Sequence, residues 1–391
     1  MLPAEVQAEM LADYEEIFGE YVQKMVTPMG RQMRYGTDEV PLPSFMPPEF
    51  LNASLINVGE PGPGNNLITP NARFMEKRVI DMLTVFWGGD PVDYTGYITP
   101  GGSESNTLAV VNARDLLPNP HFLVNSEAHY SILKACRVAG ISRDHVHELE
   151  VDQGNNAHLG SLAEVLMELK ARNVESVAVF ISSGTTFIEG QDNVAETLKM
   201  LDYFGYLNGK RYVHIDAASS GFFLPAYKGA NPDRVPGFQH DIDSMSASVH
   251  KYPGFPFVGS AFVAKQESLR SRGVRIEYVS SLDFTLSCSR DPKSIMWIYQ
   301  YLMYYEAIGP LSSIVAECVK RAEGLRKSLS AAGVPGVVRN PDAVTVVMPQ
   351  PSAEICERFM LSSQNGRSQV VVLPHVTDPM IEIFFRAYTE W

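Results

Sequence analysis

Between Arg73 and Gln266, short apolar runs alternate with stretches in which apolar residues recur at helical spacing. The first pattern is typical of buried β-strands and the second of amphipathic helices. Strands are predicted at residues 122–124, 146–151, 177–181 and 212–215, and helices at residues 131–139, 162–172 and 194–206. Strands that alternate with helices in this way form a mostly parallel sheet with helices on both faces. The sequence therefore predicts an α/β domain.

The two ends of the chain have other patterns. Residues 4–24 show an acidic helical pattern, and the following residues, up to about 70, are rich in proline and glycine, which predicts ordered loop. A helical pattern at residues 294–332 precedes strand-like runs at 343–348 and 370–373. Three parts are therefore predicted: an N-terminal helix and Pro/Gly-rich arm (1–70), a large domain (71–290), and a long helix with a small C-terminal α+β domain (291–391).

Composition limits the class of protein. The 391 residues, 45% of them hydrophobic, can bury a large core and exceed the usual size of a single one. The 45 acidic against 32 basic residues give a net charge of -13, which disfavours nucleic acid as a partner. No apolar run reaches membrane-spanning length, and the N-terminus lacks an export signal, so no membrane partner is expected. Four widely spaced cysteines indicate neither a disulfide framework nor a zinc ribbon and favour a reducing cytoplasm.

Two ionisable residues follow predicted strands. Asp216 ends the run that begins at Val213, and Lys251 follows the run that begins at Ser244. A buried carboxylate or amine is costly unless it is paired or used chemically. A carboxylate that keeps a pyridine nitrogen protonated and an amine that forms a Schiff base are what an enzyme needs to hold pyridoxal phosphate, the cofactor we predict. The alternatives are an Asp216 that pairs with a buried arginine or caps a helix, and a Lys251 exposed in a loop.

Further candidates lie at predicted strand ends, where ligands of open α/β sheets bind. The run Thr99-Pro-Gly-Gly-Ser103 before a helix suits a phosphate, because backbone N–H groups and the helix N-terminus attract anions. An ordinary turn with an N-cap is the alternative. His129 is either a ring that stacks on a flat cofactor or a capping or core histidine. Thr185 offers a hydroxyl either to a cofactor or to a turn.

Signatures of other enzyme classes are weak in this sequence. The Gly-x-Ser-x-Gly motif of hydrolases is absent, and Gly205-Tyr-Leu-Asn-Gly-Lys210 is one residue short of a nucleotide-binding loop. The pair His145-Val-His147 has no further ligand nearby, and its alternation is typical of the solvent face of a strand. No metal site is predicted.

Taken in order, these residues resemble the group II pyridoxal-phosphate-dependent amino-acid decarboxylases, in particular the short type of bacterial histidine and plant serine decarboxylases. The resemblance rests on Gly102-Ser-Glu-Ser-Asn106, His129-Tyr130, Gly184-Thr-Thr186, His214-Ile-Asp-Ala-Ala218 and Ser248-Val-His-Lys251, and extends to Gly96-Tyr-Ile-Thr99, Leu286-Ser-Cys-Ser-Arg290 and Leu373-Pro-His-Val-Thr377. It implies fold type I, the fold of aspartate aminotransferase, with a mostly parallel seven-stranded sheet. It also implies a homodimer with the active site at the subunit interface.

The resemblance implies roles for the matched residues. Lys251 forms the Schiff base, Asp216 pairs with the pyridine nitrogen, and His129 stacks on the ring face opposite Ala218. The phosphate contacts that it implies are Gly102, Ser103 and Ser248, with Ser287 or Ser289 reaching the phosphate in the neighbouring subunit's site. His250 is placed beside the Schiff base, and Thr185 near the ring hydroxyl. The implied catalytic residues are Lys251, His129, Asp216 and His250, with Tyr278 as a further candidate proton donor.

The implied reaction is decarboxylation of an L-amino acid to the corresponding amine, through an external aldimine and a quinonoid. A histidine-like or another polar amino acid is implied as the substrate. Histidine-specific relatives usually read Gly-Asp-Pro-Phe where this chain has Gly59-Glu-Pro-Gly62, in a segment expected to line the substrate pocket, which argues against histidine itself.

Three alternatives remain beside this reaction. They are decarboxylation coupled to oxidative deamination, which gives an aldehyde, a lyase or transferase reaction with the same cofactor, and a catalytically degenerate binding subunit. The presence of both Asp216 and Lys251 argues against the last of these.

Overall fold

The structure is a computed structural model that describes Met29 and residues 54–62, 70–252, 254–255, 257–308 and 311–390. The predicted helix at residues 4–24 and most of the Pro/Gly-rich arm lie outside these residues. Among the helices of the described ranges, none combines the length and the apolar character needed to cross a lipid bilayer.

The strands and helices follow one another along the chain as predicted for an α/β protein. The strands are β1 (Tyr94–Thr99), β2 (His121–Asn125), β3 (Val146–Leu149), β4 (Val177–Ser182), β5 (Arg211–Asp216), β6 (Ser244–Ser248), β7 (Ser260–Lys265), β8 (Val274–Ile276), β9 (Ser281–Asp283), β10 (Thr345–Pro349), β11 (Ser362–Gln364) and β12 (Arg367–Val371). The helices are α1 (Arg73–Phe86), α2 (Gly102–Leu116), α3 (Ser131–Val138), α4 (Leu159–Ala171), α5 (Val194–Tyr203), α6 (Gln266–Arg270), α7 (Pro292–Ile308), α8 (Leu311–Ala331), α9 (Ala353–Arg358) and α10 (Asp378–Thr389).

A seven-stranded sheet forms the centre of the molecule, with the strand order β1-β7-β6-β5-β4-β2-β3. Strand β7 runs antiparallel to both of its neighbours, and the other neighbouring pairs are parallel. This arrangement confirms the predicted mostly parallel sheet. Because β2, β4, β5 and β6 point the same way, the residues that follow them meet at one edge of the sheet.

Both faces of this sheet are covered by helices. In β4, Val177, Val179 and Ile181 contribute to one hydrophobic core, whereas Ala178 and Phe180 contribute to another. Successive side chains of a strand point to opposite faces, so the two cores lie on opposite sides of the sheet. The first core includes buried residues of α1, α4 and α5, and the second includes those of α2 and α3. This layering confirms the prediction that helices cover both faces of the sheet.

The C-terminal region, residues 311–390, carries a second, antiparallel sheet of order β10-β12-β11 with its own hydrophobic core. The single long helix predicted at 294–332 is instead two helices, α7 and α8. Gly309 and Pro310 stand between them in the sequence, and both residues disfavour a continuous helix. Val344 and Val371 of this region belong to the core of the large sheet, so the two parts pack against each other.

A buried ion pair joins segments that are far apart in the chain. Arg290 Nη2 lies 2.8 Å from Glu76 Oε2, Arg290 Nε donates to Glu76 Oε1 at 2.8 Å, and the two side chains are 2% and 0% exposed. The amide of Asn57 and the N–H of Ile98 also donate to the carboxylate of Glu76. Arg290 Nη2 also donates to Gly59 O, so this pair fastens residues 57–59 and α1 to the edge strand β1.

Candidate active site

A cleft of about 410 Å³ opens at the carboxyl edge of the sheet, beside the N-terminus of α2. Strands β5 and β6 end at this cleft, and the turns that follow them supply much of its wall. The predicted site residues that line it are Gly102, Ser103, His129, Asp216, Ala218, Ser248, His250 and Lys251. The structure therefore brings together residues that are separated by up to about 150 positions in the chain.

The carboxylate of Asp216 is 7% exposed at the end of β5. Its Oδ2 accepts a hydrogen bond from Asn106 Nδ2 at 2.8 Å, and its Oδ1 accepts one from the N–H of Ala218 at 3.1 Å. Hydrogen bonds donated to a carboxylate favour its charged form. No arginine forms an ion pair with Asp216 within the part of the chain that the structure describes. A carboxylate with two hydrogen-bond donors thus lies in the cleft, where it can face a pyridine nitrogen.

Asn106 connects Asp216 to the histidine on the opposite wall. Its Nδ2 also donates to Ser131 Oγ at 2.9 Å, and Ser131 Oγ lies 2.7 Å from His129 Nδ1. On its other side, Asn106 Oδ1 lies 3.2 Å from Nε2 of His214, a fully buried histidine. Burial lowers the pKa of His214 to about 4, so this imidazole is neutral and can donate its Nε2 proton to Asn106. One amide therefore orients two of the predicted site residues.

Lys251 follows β6 and lies between the cleft and a second, smaller cavity, since it lines both. Its Nζ donates to Ser219 Oγ at 3.2 Å. Burial lowers the pKa of Lys251, and the carboxylates of Asp216 and Glu189 oppose this effect. A lysine with a lowered pKa has a larger neutral fraction, which is the form that attacks a carbonyl group.

The opposite end of the cleft suits a phosphate. A Cβ atom added to Gly102 would lie 3.4 Å from Ser248 Oγ and 3.8 Å from Ala218 Cβ, so the backbone of the first turn of α2 lies close to these residues. Ser103 and Ser248 supply hydroxyl groups, and the 15-residue helix α2 directs the positive end of its dipole toward the cleft. The donor set at this end and Asp216 at the floor both fit pyridoxal phosphate.

Two histidines form the remaining walls. His129 is half-buried, and burial lowers its pKa in spite of the opposing charge of Asp216. His250 Nδ1 lies 3.1 Å from Gly259 O, and we assign its proton to Nδ1 on the basis of this contact. Burial also lowers the pKa of His250, so both rings are largely neutral near pH 7. A neutral His129 presents a flat ring suited to stacking.

Some predicted residues lie elsewhere. Among the described residues, Thr185, Tyr278 and Ser289 are not part of the lining of the cleft. The hydroxyl of Thr185 accepts a hydrogen bond from the N–H of Gly190, and Tyr278 is 72% exposed. Glu60 forms an ion pair with Arg270, so its carboxylate is directed to α6. The roles of these residues toward a cofactor or substrate remain predictions.

Asn106 and His214 were not predicted individually as site residues, and Ser131 and Glu189 were not predicted as site residues at all. Two of them, His214 and Asn106, could have been predicted from the sequence. His214 and Asp216 are two positions apart on one strand, so their side chains share a face. Asn106 lies one helical turn after Gly102 in α2, on the side that could face the same cleft. Ser131 and Glu189 belong to loops or helix starts whose position depends on tertiary structure, so the pattern alone carried no signal for them.

Two other features are distinct from the cleft. A larger cavity of about 540 Å³ beside α1 and α7 has an almost wholly apolar lining, in which Asp81 and Tyr301 are the ionisable residues among those described, so it offers little chemistry. His145 and His147 are half-buried rather than fully at a solvent face, and His147 Nε2 lies 2.8 Å from Nδ1 of the buried His121. No group of three metal-ligating side chains is present in the described ranges.

The position of Asn106 leads to a first prediction. Asn106→Ala should raise the dissociation constant for pyridoxal phosphate about tenfold to hundredfold, because a hydrogen bond to a charged group contributes about 1.5–3 kcal/mol. Titration of the protein with pyridoxal phosphate, followed by absorbance, measures this effect. Asn112→Ala is the matched control, since Asn112 is a buried asparagine of the same helix that contacts Tyr212 rather than Asp216. An equal loss in both variants would contradict the role given to Asn106.

Comparison with known proteins gives a consistent result. Residues 65–348 match the family model described as "Pyridoxal-dependent decarboxylase conserved domain". The chain is 27% identical to a histidine decarboxylase of Vibrio anguillarum, over 85% of each chain. It is 29% identical to serine decarboxylase 3 of Oryza sativa subsp. japonica, over 88% of this chain and 74% of the relative.

A solved structure shares the fold. The L-methionine decarboxylase of Streptomyces sp. 590, in complex with 3-methylthiopropylamine, superposes with a TM-score of 0.85 over 100% of this chain and 95% of the other. The two sequences are 21% identical, so this likeness concerns the fold alone. It confirms the predicted fold type I architecture.

Proposed function

The chain belongs to the pyridoxal-dependent decarboxylase family, and from this membership and the cleft we propose that it converts a histidine-like or another polar L-amino acid into the corresponding amine. As a member it is a pyridoxal-phosphate-dependent carboxy-lyase that acts on amino acids. The observation that carries the proposal is the convergence of Asp216 and Lys251 in one cleft, from the ends of two adjacent parallel strands.

Pyridoxal phosphate, when bound, supplies an electron sink for the electron pair that remains when the carboxylate leaves as CO₂. The protein must hold that sink in its charged form and attach it in a fixed orientation. We assign the first task to Asp216, whose charge is supported by two hydrogen-bond donors. We assign the covalent attachment to Lys251, which faces the cleft with an amine of lowered pKa.

The other wall residues are assigned to binding. Gly102, Ser103 and Ser248 are the proposed phosphate contacts, because they combine a helix N-terminus with two hydroxyl groups. His129 and Ala218 are proposed to enclose the ring from its two faces, which would also exclude water from the reacting bond. Thr185 and Ser289 remain weaker proposals, since neither lies in the lining of this cleft among the described residues.

A proton must return to the Cα atom of the substrate after CO₂ has left. The proposed donors are Lys251 Nζ and His250, both of which line the cleft. Because the neutral ring of His250 carries its proton on Nδ1, at Gly259 O, its Nε2 must first take up a proton before it can deliver one to Cα. Tyr278 is a third proposed donor, and its exposed position would require movement of its loop.

The substrate and the assembly are proposed more broadly. The relatives named above act, by their names, on histidine or serine, which supports a polar side chain without singling out one amino acid. We propose a homodimer in which Ser287 or Ser289 reaches the neighbouring subunit's site.

A cytoplasmic location is supported by the four cysteines, all of which are free thiols.

The proposed function has a direct test. Purified protein should bind pyridoxal phosphate and turn yellow, and a screen of L-amino acids should find one that releases CO₂ together with an equal amount of amine. Mass spectrometry of the product separates the outcomes. An aldehyde with ammonia would favour the oxidative alternative, and a protein that binds no pyridoxal phosphate would overturn the proposal.

A further inference from the structure

Glu189 is a buried acid that faces Lys251 from the side away from the cleft. It lies between β4 and α5 and is 2% exposed. With Lys251, Ser219 and Thr345 it lines the smaller cavity, whose volume of about 10 Å³ is the lower limit for one water molecule. Lys251 is therefore placed between this cavity and the cleft.

Three unfavourable features coincide at Glu189. Its Oε1 is buried and makes no hydrogen bond of ordinary geometry within the part of the chain that the structure describes, although Thr345 lies close enough to lower the pKa of the carboxyl group. Its backbone has φ +58°, a left-handed conformation that side chains other than glycine rarely adopt. Burial raises the pKa of its carboxyl group to about 7, so keeping this group charged depends on a cation close by, and Lys251 is one. Costly arrangements of this kind cluster at functional sites.

Glu189 also connects Lys251 to the C-terminal region. Its Oε2 accepts a hydrogen bond from the N–H of Val344 at 3.1 Å, immediately before β10. Val344 and Thr345 line the smaller cavity together with Glu189 and Lys251. The position of the C-terminal region relative to the large sheet therefore affects which groups surround the Lys251 amine.

The charged groups around the Lys251 amine limit the role that Glu189 can have. Asp216 and Glu189 are the two acids that raise the pKa of Lys251, and the rings of His129 and His250 lie nearby. Arg339 is the cation that faces Glu189 besides Lys251. If Asp216 is engaged by the pyridine nitrogen, as in the proposed function, Glu189 is the acid left to compensate a charge on the Lys251 nitrogen.

We propose that Glu189 is a positioning residue that holds a negative charge behind Lys251 and ties this charge to the C-terminal region through Val344. The inference rests on the proposed function, because it assumes that Lys251 carries the cofactor. A negative charge stabilises the protonated form of a neighbouring nitrogen. Glu189 thus keeps a proton on the Lys251 nitrogen until the substrate amine replaces this nitrogen. In the protonated form, the attached cofactor would be the strongest electron sink.

The test uses the holoenzyme and the variant Glu189→Gln. Glutamine keeps an oxygen that can accept the hydrogen bond from Val344, and it removes the charge. The absorption spectrum of the lysine-bound cofactor, recorded against pH, gives the pKa of the Lys251 nitrogen. We expect Glu189→Gln to lower this pKa by about one unit, because the variant removes a negative charge that stabilises the protonated nitrogen.

A matched control is Asp243→Asn. Asp243 is a partly buried acid that also accepts a backbone hydrogen bond, from Val213, but its cationic neighbour is Lys265 and it does not line either cavity at Lys251. This control should leave the pKa of the Lys251 nitrogen unchanged. Glu189→Ala, which also removes the acceptor for Val344, should lower the same pKa as Glu189→Gln does and in addition lower the melting temperature.

Two measurements keep the outcomes separate. Reduction of the holoenzyme with borohydride and peptide mapping shows whether the cofactor is attached at Lys251, and a label on another residue would overturn the proposed function. Attachment at Lys251 with an unchanged pKa in Glu189→Gln would overturn the inference about Glu189 and leave the proposed function intact. A shift of equal size in Asp243→Asn would overturn the inference as well.

Discussion

Replacing Lys251 with alanine should lower the rate of amino-acid decarboxylation by about 10²- to 10⁴-fold, the contribution typical of a side chain that moves protons at the reacting atom. The loss has a second cause, because without the amine the cofactor has no covalent attachment in the cleft that Lys251 lines. Release of CO₂ from the substrate identified in the screen measures the rate. The absorption band of the lysine-bound cofactor should disappear in the same variant.

The matched control is Lys228→Ala, since Lys228 is an exposed lysine in the segment between β5 and β6 and lies outside the cleft lining. This control should retain both the band and the activity. A small primary amine added to Lys251→Ala should restore part of the activity, because it supplies the missing nitrogen. Undiminished CO₂ release by Lys251→Ala would contradict the role assigned to this residue.

Replacing Arg290 with alanine should lower the free energy of unfolding by about 3–5 kcal/mol, the range found when one partner of a buried ion pair is removed. The remaining carboxylate of Glu76 is 0% exposed and would lose both hydrogen bonds that Arg290 donates to it. Chemical denaturation with urea, followed by tryptophan fluorescence, measures the loss.

The double variant Arg290→Met with Glu76→Gln should recover part of this loss, because it leaves no unpaired charge in the interior. Arg172→Ala provides a comparison at an exposed ion pair with Glu168, where a change below about 0.5 kcal/mol is expected. A loss of less than about 1 kcal/mol in Arg290→Ala would show that the buried pair is not what fastens residues 57–59 and α1 to β1.

The sheet and the two central site residues could be predicted because their signals are local. The run 177–181 is apolar throughout, which is typical of a strand covered on both faces, and the structure has β4 at Val177–Ser182. Asp216 ends such a run, so its burial and its place at the carboxyl edge of the sheet followed from the pattern. Lys251 could be predicted by the same reasoning, because it follows the neighbouring strand. The order of the site residues along the chain then matched that of the family.

The rest depends on contacts between distant segments. Arg290 contacts Glu76, which lies 214 positions away in the chain, and the N–H of Val344 contacts Glu189, which lies 155 positions away. The periodicity of either segment alone therefore does not predict these contacts. The contacts of Asn106 with Asp216 and Ser131 depend on how α2 packs against the sheet. The break between α7 and α8 is different, because Gly309 and Pro310 were visible in the sequence and the apolar pattern on either side outweighed them in the prediction.

Strand β7 has a consequence for how the protein is made. β7 pairs along its whole length with β1, and its residues 260–264 also pair with β6. While the ribosome is still synthesising the residues before Ser260, β1 and β6 each present an edge with unmet hydrogen-bonding groups, and such edges favour aggregation. The nascent chain therefore keeps these strand edges unpaired until β7 emerges and inserts between them.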